Sequence, residues 1–212
     1  MSGSPYVSLQ RTEAIDRREL LDLTSYDVSL DLAADEATFA SHTTIRFRSR
    51  GGRTFVDLKP VSVRSITLNG ARVDPDLLRG GRVPLETVAG DNELVVDAVM
   101  RFRNDGEGLH RSVDPADGRH YVYGMSFMDA APSVFACFDQ PDLKAPYRLA
   151  VRAPRDWVVV ANAPGEQVEP GSWVFAETPP LSTYFVTVVA GPYHLIADNP
   201  SGMPSCSSVS RW

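Results

Sequence analysis

The stretch Tyr26-Asp27-Val28-Ser29-Leu30-Asp31-Leu32 decides the fold. Apolar and polar residues alternate with a period of two, so one face of an extended segment meets a core and the other meets water. Working outward, Thr43, Ile45 and Phe47 continue the alternation against Thr44, Arg46 and Arg48. Thr54 to Leu58 and Val63 to Leu68 follow, and the Asn69-Gly70 pair then predicts a hairpin, because both residues tolerate positive φ. Asp91 to Ala98 opens another strand after Gly80-Gly81 and Gly90. Beyond Lys144 the runs are Tyr147–Val151, Trp157–Ala161, Trp173–Phe175 and Thr183–Ile196, broken by Pro179-Pro180 and Gly191-Pro192. Many short strands at this spacing predict an all-β fold, an antiparallel sandwich or open barrel. The exception is residues 11–21 (RTEAIDRRELL), which read as a short helix capping the sheet, with Ala14, Ile15 and Leu20 or Leu21 on its apolar face. The division expected is 1–22 as tail and helix, 23–198 as the β domain and 199–212 as a disordered tail, since NPSGMPSCSSVSRW has no alternation.

A chain of 212 residues can bury a core without a metal or disulfide. The formal net charge of −6 and the scattered basic residues argue against nucleic acid or an anionic membrane as partner. No apolar run approaches the ~20 residues of a spanning helix, and the first residues carry charges where a signal peptide would be apolar. A cytoplasmic location is therefore expected. Cys137, between apolar neighbours, reads as a buried thiol, and Cys206 lies in the serine-rich tail.

Chemistry-bearing patterns are scarce. His42, His110, His120 and His194 begin no H-E-x-x-H helix, so no metal site is expected. There is no G-x-S-x-G elbow and no phosphate-binding glycine loop. Asp139 and Asp142 flank Pro141 and read as the caps of a turn rather than a catalytic pair. No catalytic residue is expected.

Phe135-Ala-Cys-Phe-Asp-Gln-Pro-Asp-Leu-Lys-Ala145 resembles a signature of the aminopeptidase N family of zinc peptidases. Ser25 to Leu32, Ile66 to Gly70, Asn92-Glu-Leu, Gly108 to Arg111, Asp114 to Gly118 before Tyr121-x-Tyr123, Leu181 to Phe185 and Val189-Ala-Gly match the same family in order. The resemblance covers about residues 11–197. It implies the saddle-like amino-terminal β domain, which covers one side of the substrate cleft. In that family a separate thermolysin-like domain holds the zinc and removes residues from peptide amino termini. The catalytic domain would be missing here or supplied in trans, with no zinc in this chain, no activity of its own, and peptide substrate met only in an intact enzyme. Because relatives continue into another strand after Gly191-Pro192, the carboxyl end reads as a frameshift, early stop or truncated gene.

The β domain of the family lends one loop to the cleft, with the pattern Gln-x-Glu, which helps bind the substrate's free amine. The aligned residues here are Gly124, Met125, Ser126, Phe127 and Met128, with Met125 and Phe127 in place of the polar pair. These five are the candidate substrate-binding residues. The alternatives are that Met125, Phe127 and Met128 are core, or that the chain is a standalone β-sandwich binding a protein or peptide. As a domain detached from its partner it would carry an apolar docking patch of several hundred Å².

Overall fold

The computed structural model describes residues 6–197 and 207–210. Helix α1 (Arg11–Leu20) leads directly into β1 (Leu21–Asp31). Two strands of 20 residues, β2 (Thr38–Asp57) and β5 (Arg82–Arg101), then form an antiparallel ladder from Thr38↔Arg101 to Asp57↔Arg82. Between them lie β3 (Ser62–Leu68) and β4 (Ala71–Arg72), joined by the expected turn with Asn69 at φ 54° and Gly70 at φ 77°. Next come β6 (Gly108–Val113), β7 (His120–Met125), β8 (Tyr147–Arg152) and β9 (Val158–Ala161). The chain continues through β10 (Gly165–Glu169), β11 (Ser172–Phe175), β12 (Val188–Gly191), β13 (His194–Ala197) and β14 (Ser207–Ser210).

These strands form an eight-stranded sheet in the order β10-β11-β8-β1-β2-β5-β3-β4 and a four-stranded sheet in the order β6-β7-β12-β9. The all-β architecture with one short helix is the one expected. One pair departs from the antiparallel rule: β1 and β8 run parallel, with Tyr26 opposite Tyr147. That register stacks the two rings at 4.5 Å, and both are fully buried. Alternation reads correctly along β1, where Tyr26, Val28 and Leu30 are buried.

Two local expectations are corrected. In α1 Ile15 is exposed and the buried residue is Arg17, 2% exposed. Its guanidinium donates to Asp57 at 2.8 Å, to the Gln140 amide oxygen at 3.0 Å and to the Asp139 carbonyl at 3.2 Å. A charge is tolerated there because these hydrogen bonds, one of them to a carboxylate, satisfy the guanidinium, which also lies over the Phe55 ring at 4.6 Å. The aspartates flanking Pro141 do not cap their own turn. The Asp139 carboxylate accepts from the Thr183 hydroxyl, and exposed Asp142 lies 3.9 Å from Arg18.

The Phe135–Phe138 segment runs through the core with all four residues buried. Phe138 packs edge-on to Phe47 at 5.2 Å, and its N–H donates to the Tyr26 hydroxyl at 3.1 Å. Cys137 exchanges both backbone hydrogen bonds with Asp57, which satisfies groups that burial would otherwise penalise. Burial pushes the Cys137 thiol well up, so it stays protonated and inert. Of the tail expected to be disordered, 207–210 pair with β13; 199–206 and 211–212, Cys206 among them, lie outside the described residues.

Candidate functional site

β7 and the turn after it carry all five candidate residues. β7 pairs with β6 on one side and with β12 on the other. Gly124 makes the second approach possible: a Cβ there would meet the Val188 nitrogen at 3.0 Å and the Thr187 hydroxyl at 3.1 Å. The Thr187 hydroxyl donates to the Gly124 carbonyl at 2.8 Å and ties β7 to the segment before β12. Ser126 turns inward, buried, and donates to the Val186 carbonyl at 2.9 Å.

With those two residues holding the backbone, the other three point outward. Met125 is 44% exposed, Phe127 54% and Met128 68%. They are not core. Phe127 meets the Tyr184 ring edge-on at 5.7 Å, and Tyr184 lies against exposed Phe185 at 4.4 Å. Asn162 fixes this second segment, donating to the Phe185 carbonyl and accepting from the Thr187 N–H, each at 2.8 Å. The result is one apolar face from two chain segments, Met125–Met128 and Tyr184–Phe185. Sequence reading found the first half and missed the second, because Tyr184 and Phe185 sit in what reads as an ordinary buried strand. The only available signal was two adjacent aromatics, which cannot both face a core in a period-two pattern.

This face holds no carboxylate for an ammonium. Asp129, next along the chain, lies 3.7 Å from the Lys59 ammonium, which also donates to the Asp129 carbonyl at 2.7 Å. Lys59 sits over the Tyr6 ring at 3.5 Å, so the amino-terminal segment, the residues just past β2 and the loop meet at one cation. Deeper in, Asp57 is gripped by Arg17 and accepts the Asp139 N–H at 3.0 Å. Burial pushes the Asp57 carboxyl upward against the pull of Arg17. Burial also raises Asp139, to about 6.

Three of the four histidines are occupied elsewhere. His42 pairs with Asp97 at 2.8 Å, the His110 ring stacks on Tyr123 at 4.7 Å, and His120 accepts from Arg111 at 3.2 Å. Among the described residues no three of His, Cys, Asp or Glu come together as a metal would require, so these residues do not fit a zinc ion. No helix among them is long and apolar enough to cross a membrane.

Comparison with known proteins agrees with this architecture. The Peptidase M1 N-terminal domain family matches residues 83–185, which include the loop, the core segment and Tyr184–Phe185. Aminopeptidase N of Streptomyces lividans is 40% identical over 198 residues, 91% of this chain. Probable aminopeptidase 1 of Saccharolobus solfataricus is 32% identical over 184 residues, and that of Sulfurisphaera tokodaii 24% over 189, each covering 84% of the chain. The chain spans 23% of the length of each of the three. M1 aminopeptidases are zinc-dependent enzymes, and the fold, the ordered motifs and these matches together make this chain an amino-terminal domain of the M1 aminopeptidase family.

Proposed function

We propose that this domain forms one wall of the substrate cleft of a zinc aminopeptidase, and that Gly124 to Met128 face the first residue of the peptide. The hydrolytic step belongs to a thermolysin-like domain outside this chain, so the chain alone hydrolyses nothing. The observation that carries the reading is the exposure of Met125, Phe127 and Met128 at the position aligned with the family's cleft loop. Gly124 and Ser126 have the supporting role, holding the turn so that the apolar side chains project.

The test is a chimera in which this chain replaces the matching segment of the Streptomyces lividans relative, assayed on amino-acid anilides. The chimera is expected to cleave them, and Phe127→Glu to change kcat/KM by about one to two orders of magnitude, the effect of a charge-assisted hydrogen bond of roughly 1.5–3 kcal/mol to the substrate amine. An active chimera indifferent to substitutions at 125, 127 and 128 sinks the assignment of the loop. A second reading, a standalone protein- or peptide-binding module, is favoured by the same apolar side chains where the family has a polar pair. Micromolar binding of a defined peptide by the chain itself, lost in Phe127→Ser, would select it.

A further inference from the structure

Lys59 stands at the end of the apolar loop opposite its Gly124 and Ser126 anchors. Its own main chain is held by the sheet and the core segment. Asp57 exchanges hydrogen bonds with Cys137, the Leu58 N–H donates to the Gly81 carbonyl at 2.9 Å, and the Lys59 N–H donates to the Pro132 carbonyl at 2.8 Å. From that base the ammonium donates to the Asp129 carbonyl at 2.7 Å, with the Asp129 carboxylate farther off at 3.7 Å. Among the described residues, every hydrogen bond that ties residues 127–132 to another part of the chain comes from Lys59. Phe127 and Met128 lie between this anchor and the Ser126 bond to Val186.

The ammonium is itself held. A lysine stem is flexible, and its head is fixed only where its surroundings restrict it. Here the Tyr6 ring lies 3.5 Å from the ammonium on one side, with the Asp129 carbonyl as its acceptor. The ring in turn rests on a glycine, since a Cβ at Gly81 would meet it at 2.5 Å. The Val7 N–H donates to the Gly80 carbonyl at 3.1 Å and fixes the segment that carries the ring. The amino-terminal segment thus reaches the loop through one cation.

We propose that Lys59 is a positioning residue for the apolar loop: its ammonium fixes the Phe127–Asp129 turn so that Phe127 and Met128 stay in the face, and the Tyr6 ring holds that ammonium in place. The clamp stands on this geometry, and its consequence for a bound peptide rests on the cleft reading. A turn ordered in advance spares the peptide the cost of ordering it. If the turn is competent only a tenth of the time, apparent affinity falls about tenfold.

Nitrogen-15 relaxation of the 212-residue chain reads the clamp directly. Backbone order parameters over Phe127–Asp129 are expected at about 0.85 in the wild type and below about 0.6 in Lys59→Met, which keeps the stem and removes the ammonium. Val96, in the β2–β5 ladder, stays unchanged. Tyr6→Leu is expected to loosen the turn part of the way, whereas Tyr6→Phe, which keeps the ring, leaves it ordered. Asp129→Asn is expected to leave it ordered too, because the short bond goes to the main chain. Unchanged order parameters in Lys59→Met or in Tyr6→Leu overturn the proposal. So does a loosening in Asp129→Asn as large as that in Lys59→Met, which would make the contact a side-chain ion pair. In the chimera with the Streptomyces lividans relative, Lys59→Met is expected to raise KM about tenfold and keep kcat within about twofold. A fall in kcat at constant KM is what mere loss of folded enzyme gives, and it overturns the positioning role. A loosened turn with both constants unmoved upholds the clamp and sinks the cleft reading instead.

Discussion

Met125–Met128 and Phe135–Phe138 are two four-residue stretches of similar apolarity, six residues apart in one connection, and they have opposite fates. The second is buried throughout, whereas the first exposes three of its four side chains. Composition does not separate them. What does is where their backbones find partners. Cys137 bonds Asp57 in both directions, drawing its neighbours between the sheets. Around Met125–Met128 the anchors are the small residues, Gly124 and Ser126, and the large ones are left to project. An apolar run marks burial only where the adjoining main chain is itself satisfied inside.

That contrast can be broken from either end. Phe138→Ala, which empties a fully buried ring site against Phe47, is expected to cost about 3–5 kcal/mol in urea unfolding. A loss below 1 kcal/mol would mean the segment is not the core element its burial implies. Arg17→Ala leaves Asp57 buried without its guanidinium and is expected to cost about 3–5 kcal/mol at pH 7. The penalty should shrink as acid protonates Asp57.

Smaller effects sharpen the comparison. Asp139 has a folded value raised to about 6, so the native state holds the proton more tightly than the unfolded chain. The stability it contributes is complete below about pH 4 and is lost as pH rises through about 6. Discounted for its partial exposure, the difference between pH 4 and pH 8 is about 1–2 kcal/mol, and Asp139→Asn should flatten that part of the curve. Ser126→Ala removes the hydrogen bond to the Val186 carbonyl and should cost about 1–2 kcal/mol. Met128→Ser, by contrast, is expected to stay within about 0.5 kcal/mol of wild type while reducing binding of an apolar dye. A large loss of stability there would return Met128 to the core.

Legibility in the sequence follows the same physics. β1 could be read because its two faces meet different solvents, residue by residue. β2 reads as two strands, since Arg48-Ser-Arg-Gly-Gly-Arg53 interrupts the alternation, yet pairing with β5 carries one strand through. β10 is exposed along its whole length and so has no apolar signal to read. In α1 the residue that matters is a charge, and nothing local distinguishes Arg17 from Arg18. Its burial depends on Asp57 and Gln140, which lie 40 and 123 residues away. The candidate loop was found through resemblance, and its outward side chains through structure alone. Tyr184 and Phe185 join the apolar face only because Asn162 and Thr187 hold a distant segment beside β7.

The parallel pairing of β1 with β8 has a consequence in time. The first strand sits in the middle of the large sheet, and its second flank is completed by a strand whose Tyr147 follows Tyr26 by 147 − 26 = 121 residues. At roughly 5–20 residues per second of synthesis, that flank waits some 6–24 seconds for its partner, through the making of most of the core. The pairing that completes the middle of the sheet therefore forms late, and until then the β1 edge stands open to a neighbouring chain.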